Sequence, residues 1–273
     1  MWDLDFITEE DFTNHVKETI KQYDDKLEPF GLERFNQNVI DPIKMIFDKT
    51  IYQMSWREIV SNEIFRQRDK STNNDIGYFH QRIFQYIVNC HVPLNGKEGG
   101  WDIIYKNPEG IAIPGAGDVH TIYVEMKNKH NTMNSASAGK TFIKMQNQLL
   151  MDDDCACFLV EAIARQSQNV KWETTVDHRK VSHKLIRRVS LDRFYAMVTG
   201  QDDAFYQVCM ILPTVIKKAV QIFGDTIMPR DTVIEELELL AKGQNVQTED
   251  LAIIMAIYML GFKSYIGFNK GVN

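Results

Sequence analysis

The sequence predicts an α/β protein, with a central mixed β-sheet flanked by helices and helical additions at both ends. Three observations carry that expectation. The first ninety residues follow helical spacing, the stretch from Val92 to Ala164 sets short apolar strands and turns around one helix, and the last fifty residues return to a helical, acidic pattern. The expected divisions are a helical region at 1–90, a core at 91–212 and a helical region at 213–273, packed as one compact domain.

Taken in order, Thr8-Glu9-Glu10-Asp11 reads as a helix start. So does Ser55-Trp56-Arg57-Glu58, a capping box in which Ser55 caps and Glu58 reaches back. Ile59, Val60, Ile64 and Phe65 follow at helical spacing. A separate amphipathic helix is expected from about Ile76 to Asn89, burying Phe79, Ile83, Phe84 and Ile87. From Val92 the pattern changes. Trp101–Lys106 and Val119–Lys127 read as two strands, with a turn at Asn107-Pro108-Glu109-Gly110 and a short extra strand at Ile111–Ile113. Polar, small residues from Asn131 to Ala138 lead into a helix from about Gly139 to Met151. Cys155 to Ala164 is apolar throughout, as expected of a buried strand. Ser190 marks the N-cap of a helix through Val198 that Gly200 closes in the left-handed conformation. A helix from about Asp202 contains Pro213, which should kink or break it, and another break is expected at Lys242-Gly243-Gln244-Asn245.

Composition narrows the function classes. Hydrophobic residues at 44% and charged residues at 25% are ordinary for a soluble globular chain. No apolar run reaches the length of a membrane span, and the first residues are acidic where a signal peptide would be basic, so a cytoplasmic location is expected. Cys90, Cys155, Cys157 and Cys209 lack zinc spacing and read as free thiols, buried in the case of the Cys155–Cys157 strand pair. The net charge of -6 hides a local reversal. Residues 1–33 hold ten acids against three bases, whereas Arg165–Arg193 holds eight Arg or Lys against three acids. Phosphate contact is governed by such a local surface rather than by the total.

The chemistry concentrates in Val124-Glu125-Met126-Lys127, downstream of Gly99-Gly100-Trp101-Asp102-Ile103-Ile104. On a strand, Tyr123, Glu125 and Lys127 share one face while Ile122, Val124 and Met126 pack on the other. Asp102 with Glu125 supplies the one or two carboxylates that a hard cation such as Mg²⁺ takes. Lys127 beside them would stabilise phosphorane charge or orient the attacking water, which is phosphodiester hydrolysis. A bare Glu-x-Lys also occurs as an exposed cross-strand ion pair, but the Gly-Gly-Trp-Asp lead-in and the two apolar strands favour the site. Asp118 competes for the first position and is assigned instead to the Pro114–Asp118 turn.

The arrangement resembles the PD-(D/E)XK nuclease superfamily, with Trp101 standing where the motif has Pro. The run Glu125–Asn134, then Lys140-Thr141-Phe142-Ile143-Lys144-Met145-Gln146, then Arg187–Tyr195 is similar to type II restriction endonucleases that cut GGNCC sites. That resemblance implies a restriction-endonuclease-like core, and Asp102, Glu125 and the Met126 backbone carbonyl as Mg²⁺ ligands with Lys127 as the catalytic amine. It also implies double-stranded DNA as substrate, a homodimer acting on a palindrome, and a companion DNA methyltransferase. Lys129, Asn131, Lys140, Lys144, Arg179, Lys180, Arg187 and Arg188 are the expected DNA contacts, with Arg179 and Lys180 as candidate guanine readers. Gln146 receives no role. Glu58, Glu63 and Gln81 are helix residues of a kind that can approach the metal in similar nucleases, although an exposed helix face is their default. His80, His91 and His120 lack metal spacing and read as structural. The rival readings are a repair or recombination nuclease on the same core, and a DNA-binding module without catalysis.

Overall fold

The computed structural model describes residues 2–130, 132–223, 230–242, 248–262 and 264–265. The chain divides into two compact units, one formed by residues 1–21 and 74–225 and the other by residues 22–73 and 226–273. The division differs from the expected boundaries at 90 and 212, because helices from both ends of the chain are shared between the units.

The first unit is built on a six-stranded mixed sheet in the order β1-β2-β3-β4-β6-β5. Its strands are β1 (Cys90–His91), β2 (Ile103–Ile113), β3 (Gly117–Lys129), β4 (Cys155–Ile163), β5 (Asn169–Val176) and β6 (Arg179–Ser190). β4 lies parallel to both β3 and β6, and the remaining pairs are antiparallel. A central parallel strand covered on both faces needs apolar residues at every position. Cys155 to Glu161 are all buried. On one face Ile122, Val124, Met126, Phe158, Val160 and Val189 pack with α1 (Glu9–Asp24), α6 (Leu191–Thr199) and α7 (Ala204–Phe223). On the other, Ile104, Cys157, Leu159, Trp172 and Ile186 pack with Phe142 and Met145 of α5 (Ser135–Met151).

Local signals explain most of these elements. Thr8 Oγ1 accepts from Asp11 N–H at 3.1 Å and starts α1, and Asn134 Oδ1 accepts from Ser137 N–H at 2.9 Å, so α5 begins four residues before the expected Gly139. Gly200 (φ 72) ends α6 in the left-handed conformation. The Asn107–Gly110 turn is a bulge inside one long strand, because pairing with β3 resumes at Ile111↔Val119. No separate helix runs from Ile76 to Asn89. Instead, α4 (Trp56–Arg82) continues into a 3-10 turn at Ile83–Tyr86. Its middle, Gln67 to Asn74, is polar all round, which hid the continuity. Pro213 does not break α7, which runs on through it with the ring exposed. Cys155 and Cys157 are buried and Cys209 is exposed.

The β5–β6 hairpin was not foreseen. Its two-residue turn, Asp177-His178, has both φ values positive (46 and 63). That is the backbone of a two-residue hairpin loop, but Asp-His lacks the glycine that normally signals it.

The second unit is helical: α2 (Leu32–Gln37), α3 (Pro42–Tyr52), the first part of α4, α8 (Val233–Lys242) and α9 (Glu249–Phe262). Phe30, Phe35, Trp56, Ile59, Val60, Leu237, Ile253 and Ile257 form its core. Ser55 N–H donates to Glu58 Oε2 at 2.8 Å, as the capping box requires. The Gly243–Asn245 break lies outside the described residues. No described helix is long and apolar enough to cross a membrane.

Candidate active site

The lead-in to β2 is shaped by two left-handed residues, Gly99 (φ 73) and Gly100 (φ 68), a conformation that L side chains rarely adopt. They deliver Trp101 into the core at 4% exposure and leave Asp102 one residue before β2. The register Ile103↔Val124 then brings Asp102 alongside Glu125 of β3. Asp102 Oδ2 accepts the Met126 N–H at 2.7 Å, and its own backbone is tied by Asp102 N–H to Val124 O at 2.9 Å. Gln81, near the end of α4, donates from Nε2 to the Asp102 carbonyl at 3.1 Å.

Glu125 is held by two amines. Lys127 Nζ donates to Oε1 at 2.8 Å and Lys144 Nζ to Oε2 at 2.9 Å. Lys144 also donates to Gly100 O at 2.7 Å and lies 4.0 Å from the centroid of the Trp101 ring. Trp101 Nε1 in turn donates to Gln148 Oε1 at 3.1 Å, so two successive turns of α5 grip the lead-in. The carboxyls respond oppositely. Burial raises the Asp102 pKa, opposed by the Met126 N–H, and the Glu125 charge raises it further. Burial also pushes Glu125 upward, but hydrogen bonds and charge from Lys127 and Lys144 outweigh it, and its pKa falls below the ordinary value.

The structure thus brings Asp102, Glu125 and Lys127 together and adds Lys144, which sequence placed among the DNA contacts. Among the described residues no group of three or more His, Cys, Asp or Glu forms a metal cluster. Two carboxylates suit a hard cation whose remaining ligands are water and phosphate oxygens. Asp118 pairs with Ala112 at the far end of β3 and is exposed. Seven residues of strand separate it from Glu125, about 23 Å at about 3.3 Å per residue.

A second charged group adjoins the first. Glu161, opposite Lys127 in the β3–β4 register, is 1% exposed and accepts from Arg188 Nη2. His130 Nδ1 lies 3.1 Å from Glu161 Oε2, and Arg188 also donates to His130 O at 3.1 Å. Sequence reasoning missed Glu161. Its signal was an acid at the end of an otherwise apolar strand, where an unpaired charge would be costly.

The other expected contacts divide. Lys129, Lys140, Arg179 and Lys180 are exposed, the last two beside the hairpin turn, with Lys180 Nζ 3.3 Å from Glu173. Asn131 lies outside the described residues. Arg187 departs from the expectation, being 5% exposed with its guanidinium donating to Asn169 Oδ1, Asn169 O, Pro114 O and Lys184 O. An arginine whose donors are satisfied internally braces the β5–β6 hairpin. Arg188 is likewise taken up by Glu161. Of the helix residues, Glu58 caps Ser55 and Glu63 pairs with Arg66. His80 is held down to about 4 by burial and the His15 charge, His91 meets Glu98, and His120 meets Asp154. Gln146 is exposed on α5.

Comparison with known proteins places the chain among restriction enzymes. The description of the Eco47II restriction endonuclease family matches residues 4–221. The chain is 32% identical over 219 residues to the type II restriction enzyme Sau96I of Staphylococcus aureus, spanning 77% of this chain and 78% of that one. It is 27% identical over 229 residues to the type II restriction enzyme Eco47II of Escherichia coli, spanning 78% and 87%.

Proposed function

The chain belongs to the Eco47II restriction endonuclease family, and from that premise we propose that it cuts double-stranded DNA at the Asp102, Glu125 and Lys127 cluster with Mg²⁺ as cofactor. It is a type II restriction endonuclease acting on DNA, and its family implies a divalent metal. The observation that carries the site assignment is the convergence of two carboxylates, Asp102 just before β2 and Glu125 on the neighbouring β3, with an amine 2.8 Å from one of them.

Asp102 and Glu125 would hold the cation, with the Met126 carbonyl as a third protein oxygen. Bound there, Mg²⁺ would supply a Lewis-acid charge for the phosphate and lower the pKa of a bound water. Lys127, on the same face as Glu125, orients the attacking water and offsets charge on the scissile phosphate. The Met126 N–H and Gln81 hold Asp102 in place, so the carboxylate is oriented before DNA arrives.

Lys129 and Lys140 supply exposed positive charge for DNA phosphates. The β5–β6 hairpin carries Arg179 and Lys180, and a two-stranded ribbon has the width to enter the major groove and donate to guanine O6 and N7. The target is read as GGNCC, from the motif runs shared with enzymes cutting that site. One cluster cuts one strand, so a homodimer places a second cluster on the other strand of a palindrome. A companion methyltransferase would protect the same sites in the host. A repair nuclease and a non-catalytic DNA-binding module have no observation in their favour.

Incubation with plasmid DNA and Mg²⁺, followed by mapping of the fragment ends, tests the reading. Ends should share a GGNCC palindrome, and cutting should vanish in EDTA and in Asp102→Ala and Glu125→Ala proteins. A different common palindrome would overturn only the target assignment. Undiminished cutting by Asp102→Ala would overturn the site.

A further inference from the structure

Glu125 carries one amine more than the proposed chemistry uses. Both of its oxygens are engaged, Oε1 by Lys127 and Oε2 by Lys144, while the side chain keeps only 16% exposure. Each oxygen keeps a second lone pair for a metal, but two ammonium charges in contact with the carboxylate oppose a cation arriving there. Lys127 is tied to its place by the strand it shares with Glu125. Lys144 comes from α5 and has two other partners already in contact, the Gly100 carbonyl at 2.7 Å and the Trp101 ring face at 4.0 Å. An ammonium has three donors and is also attracted to an indole face, so Lys144 can release Glu125 and remain partnered.

We propose that Lys144 is a resident counter-ion of Glu125 that competes with the divalent cation for the carboxylate and yields it when metal and DNA arrive together. In the DNA-free protein it offsets the charge of Glu125 and keeps affinity for the bare cation low. Phosphate oxygens then supply the extra negative charge that lets the cation displace it. Lys144 is in this sense a positioning residue, separate from the phosphate contact expected from sequence. The inference rests on Asp102 and Glu125 being the metal pair.

The test is Mn²⁺ alone, titrated into the DNA-free full-length protein and followed by the electron paramagnetic resonance of free Mn²⁺. Lys144→Met keeps the unbranched stem over Trp101 and removes the charge. It should bind Mn²⁺ about tenfold more tightly than wild type, the low end of the worth of a charge-assisted hydrogen bond. Lys144→Gln should do the same and serves if the Met protein fails to fold. Lys144→Arg, which restores the cation, should stay within about twofold of wild type if the charge is what competes. Glu125→Gln should weaken binding sharply. If Glu125→Gln weakens binding but neither neutral variant tightens it, Lys144 is no competitor and the metal assignment stands. If Mn²⁺ binding ignores Glu125→Gln, the metal assignment falls and this inference with it.

Discussion

Arg188→Met separates a structural arginine from a DNA contact. Glu161 is 1% exposed and its first partner is the Arg188 guanidinium, whose side chain keeps 23% exposure. Removing one partner of a buried ion pair leaves an uncompensated charge and costs about 3–5 kcal/mol. His130 stays within 3.1 Å of Glu161 and limits the loss, which sets the expectation at the lower end, about 3 kcal/mol. At an m-value of about 3 kcal/mol per molar urea, the unfolding midpoint should fall by about 1 M. Adding Glu161→Gln should recover at least half of that fall, because the orphaned charge disappears. The assay is urea unfolding of wild type, Arg188→Met and the double variant, with DNA affinity measured on the folded proteins. A midpoint within about 0.2 M of wild type for Arg188→Met, about 0.6 kcal/mol, would refute the buried-pair argument.

Three further outcomes are expected. Neutralising Arg179 or Lys180 should lower affinity for all DNA and flatten the salt dependence by about one unit of slope if the contact is to phosphate, or cost about 1–3 kcal/mol on the specific site alone if it reads guanine. Unchanged affinity in both variants would remove the hairpin from the DNA surface. In the helical unit, Asp231 accepts from both terminal nitrogens of Arg68 at 2.9 and 2.7 Å and from Phe30 N–H at 2.9 Å. Burial pushes its pKa up, but these bonds and the arginine charges hold it below 3.8. A depressed carboxyl stabilises the fold above its unfolded pKa and loses that contribution as pH falls through its folded value. Asp231→Asn should therefore cost about 1.5–3 kcal/mol at neutral pH and progressively less in acid, and a cost independent of pH in thermal melts would contradict this. Gly261 on α9 leaves no room for a side chain, since a Cβ there would sit 2.8 Å from Pro42 Cδ and closer still to Cγ. Gly261→Ala should cost about 1–3 kcal/mol through overpacking, read as a lowered melting temperature against a Gly→Ala control at an uncrowded glycine.

The clustering of Asp102, Glu125 and Lys127 was legible because strand geometry is simple. Glu125 and Lys127 must share a face at a spacing of two, and the apolar partners Ile122, Val124 and Met126 show which face is packed. Lys144 was legible as a residue of interest, but its contact with Glu125 was not. Nothing in its spacing says that α5 folds back over the sheet to set its amine on Glu125. Arg187 and Arg188 looked like a basic surface because a sequence shows charge but not partners, and the structure gives Arg187 to Asn169 and Pro114 and Arg188 to Glu161. The β5–β6 hairpin escaped notice because polar residues occupy most of Asn169–Val176 and Asp-His closes the turn. The second unit escaped because its core joins Phe35 and Val60 to Leu237 and Ile257, contacts too distant in sequence for any local pattern to announce.

That last feature bears on how the protein is made. The α/β unit is complete once residue 225 has left the ribosome, whereas the helical unit waits for residues 226–273. At about 5–20 residues per second of synthesis, the apolar faces of α2, α3 and early α4 stay without their α8 and α9 partners for several seconds. A chain ending prematurely near residue 225 would keep its whole nuclease core yet carry a permanently open apolar surface. Loss of the C-terminal helices should therefore show first as chaperone retention and aggregation in the cell.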